Sequence, residues 1–99
     1  MNKNFIKQAQ QLQAKLQKAQ VELEESVIEG TSGGGAVTIK MSGKQIVESV
    51  TILEDAIEDI ELLQDMIVAA FNDASSKVQE LTNQKLGGLT GGMKLPGIF

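Results

Sequence analysis

The 99-residue chain contains no cysteine, histidine, tryptophan, tyrosine or arginine, and only one proline. Without Cys and His it has no disulfides, no thiolate nucleophile, no imidazole base and none of the usual zinc ligands. Without Arg there is no bidentate fork for phosphate or guanine, so anion contacts fall to nine lysines. Long apolar runs are also missing. No segment qualifies as a membrane span, and Met1 to Gln20 is too polar for a signal peptide, which leads to the expectation of a cytoplasmic protein. A chain of this length forms one small domain with little room for a catalytic cleft. These absences predict a protein that is not an enzyme and takes no cofactor, metal or small-molecule substrate.

What is present is apolar enough to fold, with Leu, Ile, Val and Phe supplying 29 residues. Phe5, Ala9, Leu12, Leu16, Ala19 and Leu23 recur at spacings of 4, 3, 4, 3 and 4. That period keeps a narrow stripe on one side and predicts a helix over 4–25 with a coiled-coil seam. Residues 26–52 change to strand character and predict a small three-stranded antiparallel sheet. Its first strand lies near Ser26 to Thr31, and Gly33, Gly34 and Gly35 form a sharp turn or bulge. Val37, Ile39 and Met41 alternate with Thr38 and Lys40, and Ser42, Gly43 and Lys44 read as a turn. Strict alternation beyond it puts Ile46, Glu48, Val50 and Ile52 on one face and Val47, Ser49 and Thr51 on the other.

A second helix is predicted over 59–86, carried by Ile60, Leu63, Ile67, Ala70, Ala74, Val78 and Leu81 and stopped by Gly87 and Gly88. Ala69, Ala70 and Ala74 point to close packing, and Asn72 and Asp73 in its middle require structural hydrogen-bond partners. The expected organisation is one α+β domain over 1–88: long N-terminal helix, small sheet, long C-terminal helix. Residues 89–99 are expected to form a flexible tail whose Met93, Leu95, Ile98 and Phe99 offer apolar anchors. Two helices of about 30 Å cannot close a compact globule around so small a sheet. A homodimer with protruding helical arms solves that problem, with a higher even number of copies as the alternative.

No catalytic constellation is found. Glu54, Asp55, Glu58, Asp59, Glu61 and Asp65 form a dense acidic group, but carboxylates at that point suit a helix N-terminus better than a metal. The glycines at 33–35 lack the residues of a P-loop or dinucleotide fingerprint. The informative feature is charge segregation within a net charge of -4. Residues 1–20 contain Lys3, Lys7, Lys15 and Lys18 and no acid; residues 51–74 contain seven acids and no lysine; Lys77 and Lys85 follow. In a helical hairpin Lys3 and Lys7 are expected near Lys85, with Lys15 and Lys18 near Lys77 or the turns just before it, so that the arm tips are basic and the root acidic. Asn4, Gln8, Gln11, Asn83 and Gln84 lie around them as neutral polar neighbours. Lysines of this kind predict weak, salt-sensitive contact with duplex phosphates and little sequence preference.

The order of several motifs resembles the YbaB/EbfC family of nucleoid-associated DNA-binding proteins over nearly the whole chain. They are the Gln-rich Gln8 to Gln20 run, Gly33-Gly34-Gly35-Ala36-Val37, Gly43, Val50-Thr51-Ile52, the stretch from Leu63 to Ala74 and the ending Gly92-Met93-Lys94-Leu95-Pro96-Gly97. The resemblance implies a dimer with tweezer-like helical arms, found in the cytoplasm and nucleoid of bacteria and with plastid relatives, that binds double-stranded DNA and influences nucleoid organisation or gene expression. It implies a DNA-binding role for Lys3, Lys7, Lys15, Lys18, Lys77 and Lys85 by charge and position. The chain departs from the family in having Leu53-Glu54 where Asp-Pro is typical, a shorter link to the long helix, and no Arg. The second reading is a coiled-coil interaction adaptor or prefoldin-like chaperone with weak or no DNA binding.

Overall fold

The computed structural model describes residues 3–87. Helix α1 (Lys3–Glu25) leads into strands β1 (Val27–Ser32), β2 (Val37–Ser42) and β3 (Val47–Ile52), and helix α2 (Ile60–Gly87) is the last of the described elements. Short 3-10 turns occupy Gly33–Gly35 and Glu54–Glu58. The α+β architecture is the expected one. The tail at 89–99 lies outside the described residues.

The sheet is antiparallel in the order β1-β2-β3. Gly33, Gly34 and Gly35 take φ of 61°, 67° and 97°, a run of left-handed backbone that residues with a Cβ adopt only at a cost. They therefore form a turn, and the bulge falls elsewhere. Lys40 pairs with Ser49 but Met41 pairs with Val47, so Glu48 is an extra residue on β3. This corrects the strict alternation expected along β3. Val47, Val50 and Ile52 stand opposite Met41, Ile39 and Val37 and share their face, because the inserted residue resets the two-residue period.

That face carries the core. Val37, Ile39 and Met41 from β2 and Ala70, Ala74 and Val78 from α2 are buried together, flanked by Ile28, Ile52, Leu63, Met66 and Ile67. Small residues bring the layers close: a Cβ on Gly30 would overlap the Ala70 carbonyl and the Ala74 amide. Ala69, by contrast, is exposed, since it lies about 100° round the helix from Ala70. A Cβ on Gly43 would likewise overlap the Leu23 carbonyl, so the β2–β3 hairpin seats directly on the end of α1.

Polar groups fix the seating. Asp59 accepts the Leu62 N–H at 3.1 Å and caps α2, the role expected for this acidic stretch. The Ser32 hydroxyl donates to the Met66 carbonyl. Asp73 accepts the Thr31 N–H at 2.9 Å and pairs with Lys77 at 3.0 Å, tying α2 to β1 as expected of it, whereas Asn72 is exposed. The Thr31 amide first, and the Lys77 ammonium after it, hold the Asp73 carboxyl below its ordinary pKa.

A depressed folded-state pKa stabilises the fold above the unfolded value of about 3.9 and loses that contribution as pH falls through the folded value. Asp73→Asn should therefore lower stability at neutral pH, and its deficit relative to wild type should shrink as the pH falls below about 3.9. Urea unfolding of both proteins across that range checks this; a deficit independent of pH would assign the effect to shape rather than charge.

Candidate nucleic-acid interface

The helices meet only over part of their length. Ala19 and Leu23 of the α1 seam are buried and Leu16 is half-buried, but Ala9 is exposed, Leu12 is 37% exposed and Phe5 62%. α2 runs antiparallel to the C-terminal half of α1, with Val78 near the Gly43 hairpin and Lys85 beside Glu22. The expected pairing of Lys3 and Lys7 with Lys85 is thereby corrected. α2 ends at Gly87 beside the middle of α1, so Lys3 and Lys7 lie on the exposed stretch beyond it.

Lys85 instead joins Lys15 and Lys18. These three lysines, with Ala19 and Glu22, line one open groove of about 280 Å³ between the helices. Lys15, Lys18 and Glu22 stand at i, i+3 and i+7, which stacks them on one face of α1. Lys85 comes from the last turn of α2, where a cation also suits the helix dipole. Its Nζ lies 3.6 Å from the Glu22 carboxylate, leaving the group two positive charges in excess. Lys15 and Lys18 are exposed, and the Lys85 side chain is 30% exposed. Three flexible ammonium groups on a wet surface suit phosphate oxygens without imposing base recognition.

Lys77 stands apart from this group. Its Nζ donates to the Glu29 carbonyl at 3.2 Å besides pairing with Asp73, so it lies against the sheet and not beside Lys15 and Lys18. Gln8, Gln11, Asn83 and Gln84 are exposed along the arms. Among the described residues, no group of three or more Asp and Glu side chains is arranged to hold a metal ion. No described helix is long and apolar enough to cross a membrane.

One basic feature was missed in the sequence. A second groove of about 440 Å³ is lined by Gly43, Lys44, Gln45, Val78, Gln79, Thr82 and Asn83. Lys44 reaches Glu24 at 3.8 Å, and the left-handed Gln45 (φ 63°) donates through its side-chain amide to Ser75. The signal was the lysine following the hairpin glycine. Only folding places it against α2.

Fold and charge together define a small α+β protein whose sheet and α2 supply the core and whose helical arm carries the cations. The chain belongs to the YbaB/EbfC DNA-binding family, whose sequence profile it matches over residues 1–93. A nucleoid-associated protein of Alkaliphilus metalliredigens is 44% identical over 98 residues, covering 97% of this chain and 86% of its own. One from Bacillus licheniformis is 51% identical over 80 residues, or 79% of this chain and 75% of that one. The crystal structure of the uncharacterized protein HP0035 from Helicobacter pylori shares the fold. Its TM-score is 0.70 at 21% identity, over 92% of this chain and 97% of that one.

Proposed function

We propose that this protein is a nucleoid-associated DNA-binding protein that grips duplex phosphates through the lysines of its helical arms and acts as a homodimer in the bacterial cytoplasm. The observation that carries the reading is the convergence of Lys15, Lys18 and Lys85 on one groove. Lys3 and Lys7, further out on α1, extend the same positive surface, and Lys77 contributes charge near the root. The acidic surface around Glu54 to Asp65 repels a duplex from the body and favours contact by the arms. Binding of this kind is weak, falls steeply with salt and has little sequence preference. It involves no catalytic step.

The dimer reading rests on apolar surface that α2 leaves uncovered. α2 packs on β1 and β2, while Val47 and Val50 of β3 remain 38% and 45% exposed. Ile46 is exposed at the hairpin end of β3, and Leu53, Ile57, Ile60 and Leu62 are exposed from its other end through the link to α2. So much exposed apolar surface around one edge is the mark of an interface between copies, and two-fold pairing there presents two basic arms to one duplex.

Val50→Lys together with Ile57→Lys should cut the mass seen by light scattering from that of a dimer to that of a single chain. Helix content should be retained, because both side chains are already exposed. An unchanged dimer would place the interface elsewhere. The function itself is tested by fluorescence anisotropy of a labelled duplex of ~30 base pairs at about 50 and 200 mM salt. Saturable binding that weakens with salt supports the reading. Absence of binding at low salt overturns it and favours the interaction-adaptor reading.

A further inference from the structure

The groove of about 440 Å³ beside the β2–β3 hairpin takes no part in the grip of Lys15, Lys18 and Lys85. None of its lining residues is acidic: Lys44 and Gln45 stand on the hairpin side, and Gln79, Thr82 and Asn83 on α2. The last three lie at i, i+3 and i+4, which puts them on one face of the helix. Among the described residues the side-chain amides of Gln79 and Asn83 make no hydrogen bond, and the Thr82 hydroxyl, donating to the Val78 carbonyl at 2.8 Å, keeps its lone pairs. The Lys44 ammonium meets Glu24 at 3.8 Å with both side chains well exposed, a weak pair that a phosphate can part. Gln45 takes φ of 63°, where a hairpin ordinarily uses Gly or Asn, and from that strained backbone its amide reaches Ser75 on α2 at 3.4 Å. Given the DNA-binding reading of the arms, on which this rests, we propose that the hairpin groove is a second nucleic-acid subsite: Lys44 takes a backbone phosphate, and the Gln79 and Asn83 amides hydrogen-bond the adjoining phosphate and sugar oxygens.

The chemistry of the lining favours this occupant. Lysine supplies charge to a sugar–phosphate contact, while amides and hydroxyls fix its register without reading sequence. A protein partner needs an apolar centre to its contact, and the one large apolar side chain lining the groove, Val78, is 1% exposed. The placement adds something the first groove cannot provide. Glu22, beside Lys85, and Glu24, beside Lys44, are two residues apart and so about 200° from each other round α1. The two grooves therefore flank α1 on opposite sides, and one protomer holds two separate stretches of backbone.

Anisotropy titrations of a labelled duplex of ~30 base pairs at several salt concentrations test this with the full chain. Lys44→Gln should weaken binding roughly 8-fold at about 0.1 M salt and make the slope of log affinity against log salt shallower by about 0.9. Gln79→Ala with Asn83→Ala, both at exposed positions, should weaken binding roughly 5-fold with the slope unchanged, since neutral hydrogen bonds release no counterions. Helix content and the mass seen by light scattering should stay those of the unaltered protein in each variant. Undiminished affinity in the amide variant overturns the subsite, because Lys44 then acts only as a nearby charge; the arm reading survives that result if replacing Lys15, Lys18 and Lys85 still weakens binding. A changed mass overturns it in favour of a contact between copies. No binding by the unaltered chain at about 50 mM salt overturns the subsite together with the reading on which it rests.

Discussion

Replacing Lys15, Lys18 and Lys85 together by Gln should cost roughly 100-fold or more in duplex affinity at about 0.1 M salt. The three ammonium groups line one groove between α1 and α2, so one stretch of duplex backbone meets all of them. Each phosphate neutralised by a lysine releases condensed counterions, and three such contacts contribute about -2.7 to the slope of log affinity against log salt. The triple variant should therefore bind more weakly and show a slope shallower by about that amount. Lys40→Gln is the control. Lys40 lies on the sheet, 4.0 Å from Glu29 and away from the groove, and its loss should change affinity only slightly. Anisotropy titrations at several salt concentrations give both quantities. An unchanged slope in a folded triple variant would remove this groove from the interface, and the exposed Lys3 and Lys7 would become the next candidates.

The largest effect on stability is expected at Gly30. It sits in the middle of β1 opposite Ile39, and α2 passes so close that the overlap of an added Cβ is with backbone atoms of Ala70 and Ala74. A backbone cannot swing aside as a flexible side chain can. Gly30→Ala should therefore cost about 3 kcal/mol, the upper part of the usual overpacking range. For a domain of this size that lowers Tm by roughly 12–24 °C in a calorimetric scan. Gly34→Ala separates the two reasons for a glycine. Its Cβ would meet nothing within 4 Å, but its φ is 67°, so the expected cost is only about 1 kcal/mol of backbone strain. Equal effects at the two positions would mean that α2 does not seat on β1 at Ala70 and Ala74.

Element type and order were legible because each rests on local periodicity. The 3-and-4 spacing from Phe5 to Leu23 and from Ile60 to Leu81 marks helices wherever their partners lie, and Val37, Ile39 and Met41 alternate as a half-buried strand must. Glycines where strands turn needed no tertiary context either. The face of β3 was misread because a bulge is a property of two paired strands: nothing in Val47 to Ile52 alone announces that Glu48 has no opposite partner. For the same reason Ala69, Ala70 and Ala74 looked alike, although only the last two touch Gly30.

The candidate site divides in the same way. Segregated lysines, the lack of Arg and the lack of His and Cys are facts of composition, and by themselves they remove imidazole and thiolate chemistry and bidentate guanidinium readout and leave cationic contacts to lysine. Which lysines act together was decided by how far α2 reaches along α1. That overlap is set where the Gly43 hairpin seats on Leu23 and where Gly30 admits α2, two contacts between segments distant in sequence. Periodicity determines which face of a helix is apolar, but the axial offset between two helices depends on a third element packed against both. The sequence by itself thus determined an α+β protein with lysines gathered towards the helix ends remote from an acidic root. Only the tertiary structure decided that Lys85 meets Lys15 and Lys18, that Lys77 lies against the sheet, and that the outer half of α1 stands clear of α2.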